Sequence, residues 1–271
     1  MRWISLESAV SPAFFVIAGI LFFYILESMI PFRKTTLSKV QRWFINFSLN
    51  FCNIFVVDLF FVNLLKKTTF FSEAHRINLF KIWHLNSFGR IALTIIILDF
   101  AMYLWHRLNH GVPFLWRFHR VHHTDLEVDV SSASRFHFGE VTVSTFITYT
   151  FMLLFGATIV EVRIFQVALF LMAQLGHSNI KLWRSFEEFL WLFLVPPSMH
   201  RIHHSSLHRE TDSNYGTIFS IWDRLFKTLC KNTVQEKIVF GLNDFRDPKE
   251  LTLTKLLMLP FRKKNILTVR K

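Results

Sequence analysis

The stretch FGRIALTIIILDFAMYLWHRLNH, Phe88–His110, is apolar from Phe88 to Trp105 and closes on His106-Arg107-Leu108-Asn109-His110. Its apolar part approaches the roughly 20 residues that cross a hydrocarbon core. The two imidazoles, four residues apart, share one helical face where the run leaves the bilayer. A membrane helix that carries paired histidines at its mouth suggests both a fold class and a chemistry.

Four further apolar runs surround it: Pro12 to Ile30, Phe44 to Leu65, Val141 to Val160 and the shorter Val162 to Leu175. The last two are separated only by a few residues around Gly156, Glu161 and Arg163, which predicts a helical hairpin that enters and leaves on one side. Phe186 to Val195 is too short to span and stops at Pro196-Pro197, so it reads as an interfacial or re-entrant segment. The first run closes on Glu27-Ser28-Met29-Ile30, with no small-residue cleavage site, and reads as a retained anchor in a chain that starts near Met1.

Composition agrees with a membrane protein. Charged residues are 18% and apolar ones 52%, against about 25% and 45–50% in soluble domains. This excludes intrinsic disorder as well. The 31 Lys and Arg exceed the 19 Asp and Glu by 12, but they flank apolar runs, as headgroup anchors do. No nucleic-acid reading motif accompanies them. With Cys52 and Cys230 alone, neither a disulfide framework nor a thiolate metal site can be built. Any metal must be held by nitrogen or oxygen.

The remaining histidines repeat one spacing. His119-Arg-Val-His122-His123 and His200-Arg-Ile-His203-His204 each give an i, i+3, i+4 triad. Such a triad can aim two or three ring nitrogens at one point, and eight imidazoles are too many for one ion, so two ions are the economical reading. His75, His84 and His208 stand alone and read as structural. Asp99, two turns before His106 on the same face, is expensive in an apolar run without a partner. It is expected to accept a hydrogen bond from a ligand imidazole, the alternative being a polar helix–helix contact. Asp58 in the second run has no assigned role.

Together these boxes resemble the eight-histidine signature of the fatty acid hydroxylase and sterol desaturase superfamily of membrane di-iron enzymes. The surrounding residues Leu115-Trp-Arg-Phe-His119, Gly176-His177-Ser-Asn179, Thr211-Asp-Ser-Asn214-Tyr-Gly216 and Trp222-Asp-Arg-Leu-Phe226 are similar to its bacterial members. The resemblance covers roughly residues 90 to 230. It implies that His106, His110, His119, His122, His123, His200, His203 and His204 are metal ligands, with His177 a ninth and no catalytic residue beyond the ligands. His137 would ligate or donate a hydrogen bond behind a ligand, with Glu140 or Arg135 fixing its tautomer. Asn179 and Asn214 would orient ligands or cap helices. In Arg135-Phe-His137-Phe138 the family commonly has proline after the histidine, and its absence bears on the local backbone.

The resemblance further implies two iron ions, for whose nitrogen ligands zinc would compete in purified protein. They would use O2 and externally supplied electrons to hydroxylate or desaturate a lipid, whether an acyl chain, a sterol or an isoprenoid. Ether-lipid cleavage uses the same boxes. No G-x-G-x-x-G or phosphate loop is present, so a separate ferredoxin or cytochrome with its reductase is the expected partner beside membrane lipids and the lipid substrate. Arg107, Arg117, Arg120, Arg201 and the tail Arg262, Lys263 and Lys264 are the candidate docking cations, the tail also suiting headgroups. A zinc protease is excluded because no histidine precedes Glu. A metal transporter is the rival from another class, although transport sites usually lie near the bilayer midplane.

The expected architecture is an all-α integral membrane helical bundle, with about four transmembrane helices and a cytosolic helical cap that holds a dinuclear metal site. Residues 1–85 would be N-terminal anchor helices that add only hydrophobic anchoring, 86–235 the catalytic domain and 236–271 a basic cytosolic tail. The bacterial inner membrane is favoured over the endoplasmic reticulum, with the site facing the cytosol.

Overall fold

Two prolines set the geometry. In the computed structural model, which describes residues 12–75 and 79–262, the helix that begins at Ser87 ends at Gly111, and Pro113 opens the next one. Val112 between them is extended (φ −100°, ψ 117°), the conformation a residue before proline is driven to. The same device recurs at Pro196-Pro197, where extended Pro196 ends one element and Pro197 opens another at N1.

The chain runs α1 (Pro12–Met29), α2 (Lys39–His75), α3 (Leu79–Ile82), α4 (Ser87–Gly111), α5 (Pro113–His123), α6 (Phe138–Phe155), α7 (Ile159–His177), α8 (Arg184–Phe193), α9 (Pro197–His203), α10 (His208–Thr211), α11 (Ile221–Leu225) and α12 (Leu253–Met258). Among the described residues there is no strand, only three isolated bridges. Helices α1, α4, α6 and α7 are long and apolar enough to cross a membrane, and the protein is an all-α, multi-pass membrane bundle with a helical cap. The second apolar run lies within the 37-residue α2. The side chains of Asp58 and His75, and all of Lys263 and Lys264, lie outside the described residues.

The α6–α7 hairpin forms as expected. Gly156 supplies the left-handed turn (φ 66°), and Thr158 with Glu161 makes a capping box that starts α7. The first turn from Ile159, with Gly176 and His177 at the other end, extends the short fifth run to a helix of 19 residues. Arg90 at the base of α4 reaches over, pairing with Glu161 at 2.6 Å and donating to the Gly156 carbonyl. Above it, Leu98, Phe151, Met152, Val162 and Phe165 form the bundle core. Helix α1 lies on α7 at Gly19, where a Cβ would come within 2.1 Å of Gln174 Oε1.

The expectation that residues 1–85 contribute only hydrophobic anchoring is corrected here. Glu27 at the end of α1 accepts from the backbone N–H of Val130 and Asn179. On α2, Arg42 binds Asp125 and Asp129 at 3.0 and 2.9 Å, and Asn46 bonds Ser131 and Arg135. Buried polar groups need such partners, and these ones bind the first two long helices to the segments that follow His123 and His177. The tail also departs from expectation. Leu251, Leu256 and Leu259 pack with Val121, Ile45 and Leu49, so the chain up to residue 262 is folded onto α5 and α2.

Candidate metal centre

Each histidine group rides on a helix end. His106 and His110 occupy the last turns of α4, His119, His122 and His123 the end of α5, His177 the last position of α7, and His200, His203 and His204 the end of α9. The ends of α4, α5, α7 and α9 thus meet beneath the cap, and α6 starts beside them.

The nine imidazoles fall into two groups. His106, His110, His119, His123 and His203 form one, and His122, His177, His200 and His204 the other; within each group the potential ligand atoms lie within 4.8 Å of one another. Neither triad stays whole. In both, the i and i+4 members join one group while the i+3 member crosses to the other. On a helix i and i+4 differ by about 40° in azimuth, whereas i+3 lies about 60° to the other side of i, so one triad can face two points.

Inner contacts are made by Nε2 atoms. His106 and His123 approach His119 at 3.1 and 3.2 Å in the first group. In the second, His177 stands 3.1 Å from His122, 3.0 Å from His200 and 3.1 Å from His204, and His200 and His204 are 3.1 Å apart. Two nitrogens each about 2.1 Å from one ion and at right angles to it would be about 3.0 Å apart. The spacing matches that of ligands around a shared ion.

The outer nitrogens fix the tautomers. Nδ1 donates to the Tyr215 carbonyl from His106 (2.8 Å), to Asp212 from His110 (3.1 Å), to Glu140 from His119 (2.8 Å), to the Arg135 carbonyl from His122 (3.2 Å), to the Ala173 carbonyl from His177 (2.7 Å) and to the Ser213 carbonyl from His203 (2.7 Å). This is the support that metal-bound imidazoles require. With hydrogen on Nδ1, facing Nε2 atoms oppose lone pairs at 3.1 Å, an arrangement a cation between them relieves. His203 Nε2 is buried without a hydrogen-bond partner, as a nitrogen kept for a metal would be. Burial first, then neighbouring imidazoles, hold His122, His123, His200 and His204 well below the usual imidazole range, and burial takes His203 down to about 3. Neutral imidazole is the ligating form.

Other residues raised by the sequence are placed differently. Asp99 meets no histidine. Its carboxylate accepts from the N–H of Ile218 and Phe219 and from Trp222 Nε1, at 3.1, 3.1 and 2.8 Å, and so ties the 215–222 loop to α4. His137 stands outside both groups as the N-cap of α6, its Nδ1 accepting from Gly139 and its Nε2 donating to the Leu257 carbonyl. Those two contacts, not Glu140 or Arg135, set its tautomer. It is extended (φ −84°, ψ 139°), the shape a following proline would impose, so Phe138 at N1 leaves the backbone course open to either residue. Glu140 accepts from His119 and from Asn109. Asn179 exchanges hydrogen bonds with the Arg33 backbone and not with an imidazole. Asn214, in the left-handed region (φ 55°), bonds the Met199 and Cys230 carbonyls and steadies α9. His84 and His208 are exposed and belong to neither group.

Two of the candidate docking cations are internal. Arg120 is 5% exposed and donates to the Leu259 carbonyl, and Arg201 is 3% exposed and bonds Gln235 and the Ile180 carbonyl. Arg262 pairs with Glu250, while Arg107 is exposed and Arg117 half-buried. Sequence reasoning missed Asp212, Ser213, Tyr215 and the carbonyls of Arg135 and Ala173. Of these only Asp212 offered a signal, a carboxylate eight residues after the second triad; backbone carbonyls offer none. Arg135, buried, braces the end of α5 through Val121 and Thr124.

A membrane bundle whose helix ends gather two groups of imidazoles that could each hold a metal ion is the class of protein defined here. The sequence model of the fatty acid hydroxylase family matches residues 91–228, and the chain belongs to that family. It is 34% identical over 140 residues to the ornithine lipid hydroxylase OlsE of Rhizobium tropici, covering 51% of this chain and 41% of that one. To human alkylglycerol monooxygenase it is 31% identical over 144 residues, 53% of this chain and 31% of the relative. To mouse cholesterol 25-hydroxylase it is 24% identical over 161 residues, 55% and 50% respectively. The chain thus spans a third to a half of these relatives. No solved structure matches it.

Proposed function

We propose that the protein is a membrane-bound, non-haem di-iron oxygenase that hydroxylates or desaturates a lipid with O2 and electrons from a separate carrier. The observation that carries this reading is the sorting of nine imidazoles into one group of five and one of four. Two irons held there would supply O2 reduction and removal of hydrogen from an unactivated C–H bond. The chain's own residues do the rest. Nine ring nitrogens would hold the ions, Glu140, Asp212 and four backbone carbonyls aim the rings, and Tyr215 and Trp116 flank the five-member group with ring centroids 5.1 and 4.9 Å from His110. Burial of eight of the nine excludes water from most of the site.

Ornithine lipids, alkylglycerols and cholesterol, named by the relatives, are all amphiphiles whose polar part stays at the membrane surface, where this site lies. A lipid of that kind is the substrate class. Ether-lipid oxidation is the second reading, favoured by the similarity to alkylglycerol monooxygenase. Every polar segment between the long helices on the histidine side faces one side of the membrane; we assign it to the cytosol of a bacterial inner membrane, where a ferredoxin or cytochrome is at hand. A transporter reading is disfavoured because the imidazoles stand at helix ends beneath a cap and not at the midplane.

Metal analysis of purified protein, joined to lipid profiling of cells that express wild type or His122→Ala, tests the proposal. The expected result is two irons per chain and an oxygen-dependent lipid product that the variant lacks. Absence of stoichiometric iron, or no such product, overturns it; ion uptake into proteoliposomes would favour the transporter.

A further inference from the structure

Residues 253–262 have two faces. Leu256 and Leu259 are 1% and 2% exposed, whereas Met258 and Phe261, on the same stretch, are 53% and 58% exposed. The outward pair continues an apolar surface on α5. Phe114 is 63% exposed, its ring lies 5.5 Å from Phe118, and Phe118 lies 6.1 Å from Phe261.

The level of this patch is fixed by the membrane helices. Helix α4 ends at Gly111, three residues before Phe114, and α6 begins at Phe138. Phe118 rests on the first turn of α6, where a Cβ on Gly139 would fall 2.7 Å from its ring, and Phe261 is 6.3 Å from His137, the α6 cap. Phe114, Met258 and Phe261 therefore emerge where one spanning helix leaves the bilayer and another enters it. Cations accompany them: Arg117 on α5, then Arg262, which shares Glu250 with Lys255, followed in sequence by Lys263 and Lys264. Apolar side chains at the acyl boundary with basic neighbours at headgroup level are the pattern of an interfacial element.

We propose that residues 253–262 form a clasp lying in the bilayer interface, with the anionic lipid surface of the membrane the chain spans as its partner. The inference rests on the membrane fold and not on the oxygenase reading. The clasp also holds the site. The Leu257 carbonyl accepts from His137 and the Leu259 carbonyl from Arg120, so it locks α5, with three of the nine imidazoles, against the start of α6, with Glu140.

Spin labels at Met258→Cys and Phe261→Cys, in a Cys52→Ser, Cys230→Ser background of the full chain in phosphatidylglycerol vesicles, test this through their accessibility to O2 and to a soluble nickel chelate. Exposed Asp244→Cys serves as the aqueous reference and lipid-facing Phe146→Cys as the membrane reference. Both clasp labels are expected to be shielded from nickel, at a depth of about 5–10 Å below the headgroups. The combination Arg117→Glu, Lys263→Glu, Lys264→Glu is expected to reduce that shielding in phosphatidylglycerol and not in phosphatidylcholine. Nickel access at 258 and 261 equal to that at 244, with 146 shielded, overturns the clasp. Nickel access at 146 as well overturns the membrane fold itself and the clasp with it.

Discussion

The two imidazole groups share the ends of α5 and α9, with α4 completing one and α7 the other, and they differ in what stands behind them. The group of five is backed by charge: Glu140 behind His119 and Asp212 behind His110. It also contains His106, the single member of the nine that is not fully buried. The group of four is entirely buried, and its outer hydrogen bonds from His122 and His177 end on neutral backbone carbonyls. A carboxylate makes a ligand imidazole a stronger donor. The first group is therefore the tuned and partly open one, the second the closed and neutral one, although helical spacing supplies both with equal chemistry.

The difference in ligand number gives the largest expected effect. His204→Ala leaves three imidazoles in the group of four, and metal content should fall from two ions per chain toward one. His203→Ala leaves four in the other group and should retain both ions with weaker hold, read by metal analysis after graded chelation. Equal losses from the two variants would remove the distinction between the groups. Next, Glu140→Gln keeps an acceptor for His119 but removes its charge, and metal affinity or activity should drop by about 10–100-fold. Asp212→Asn should cost less, a few-fold, because its side chain is 47% exposed and solvent screens it. Titration of both variants against a competing chelator ranks the two carboxylates.

The smallest effects belong to residues that act on the fold. His137→Ala removes a helix cap and should lower stability by about 1 kcal/mol. Asp99→Asn weakens hydrogen bonds to a charged acceptor and should cost about 1.5–3 kcal/mol. Thermal unfolding in detergent measures both, and metal stoichiometry should remain at the wild-type value. Loss of an ion from Asp99→Asn would return that residue to the metal centre.

Asp99 shows how far a sequence can be read. A carboxylate in an apolar run announces that it needs a partner, and that much was legible. Its partners, the N–H groups of Ile218, Phe219 and Trp222, come from a loop more than a hundred residues away. Nothing local points to them. Arg42 and Asn46 are a similar case: within α2 they look like flanking polar residues, and only packing against the 124–135 segment makes them supports of the site. Arg120 and Arg201 err in the other direction, since an arginine beside a histidine box looks the same in sequence whether it faces solvent or a buried carbonyl.

What the sequence determined by itself is the material: apolar runs long enough to span, a nitrogen-only ligand set without thiolates, and imidazoles at i, i+3 and i+4. These follow from composition and from the helical repeat, which are local properties. The partition into five and four was decided by tertiary structure. A triad on one helix presents two directions, and which direction meets which neighbour depends on where Pro113 and Pro197 turn the chain and how α4, α7 and α9 converge. The same convergence decided which carbonyl or carboxylate stands behind each ring, because hydrogen-bond partners are chosen by position in space and not by distance along the chain.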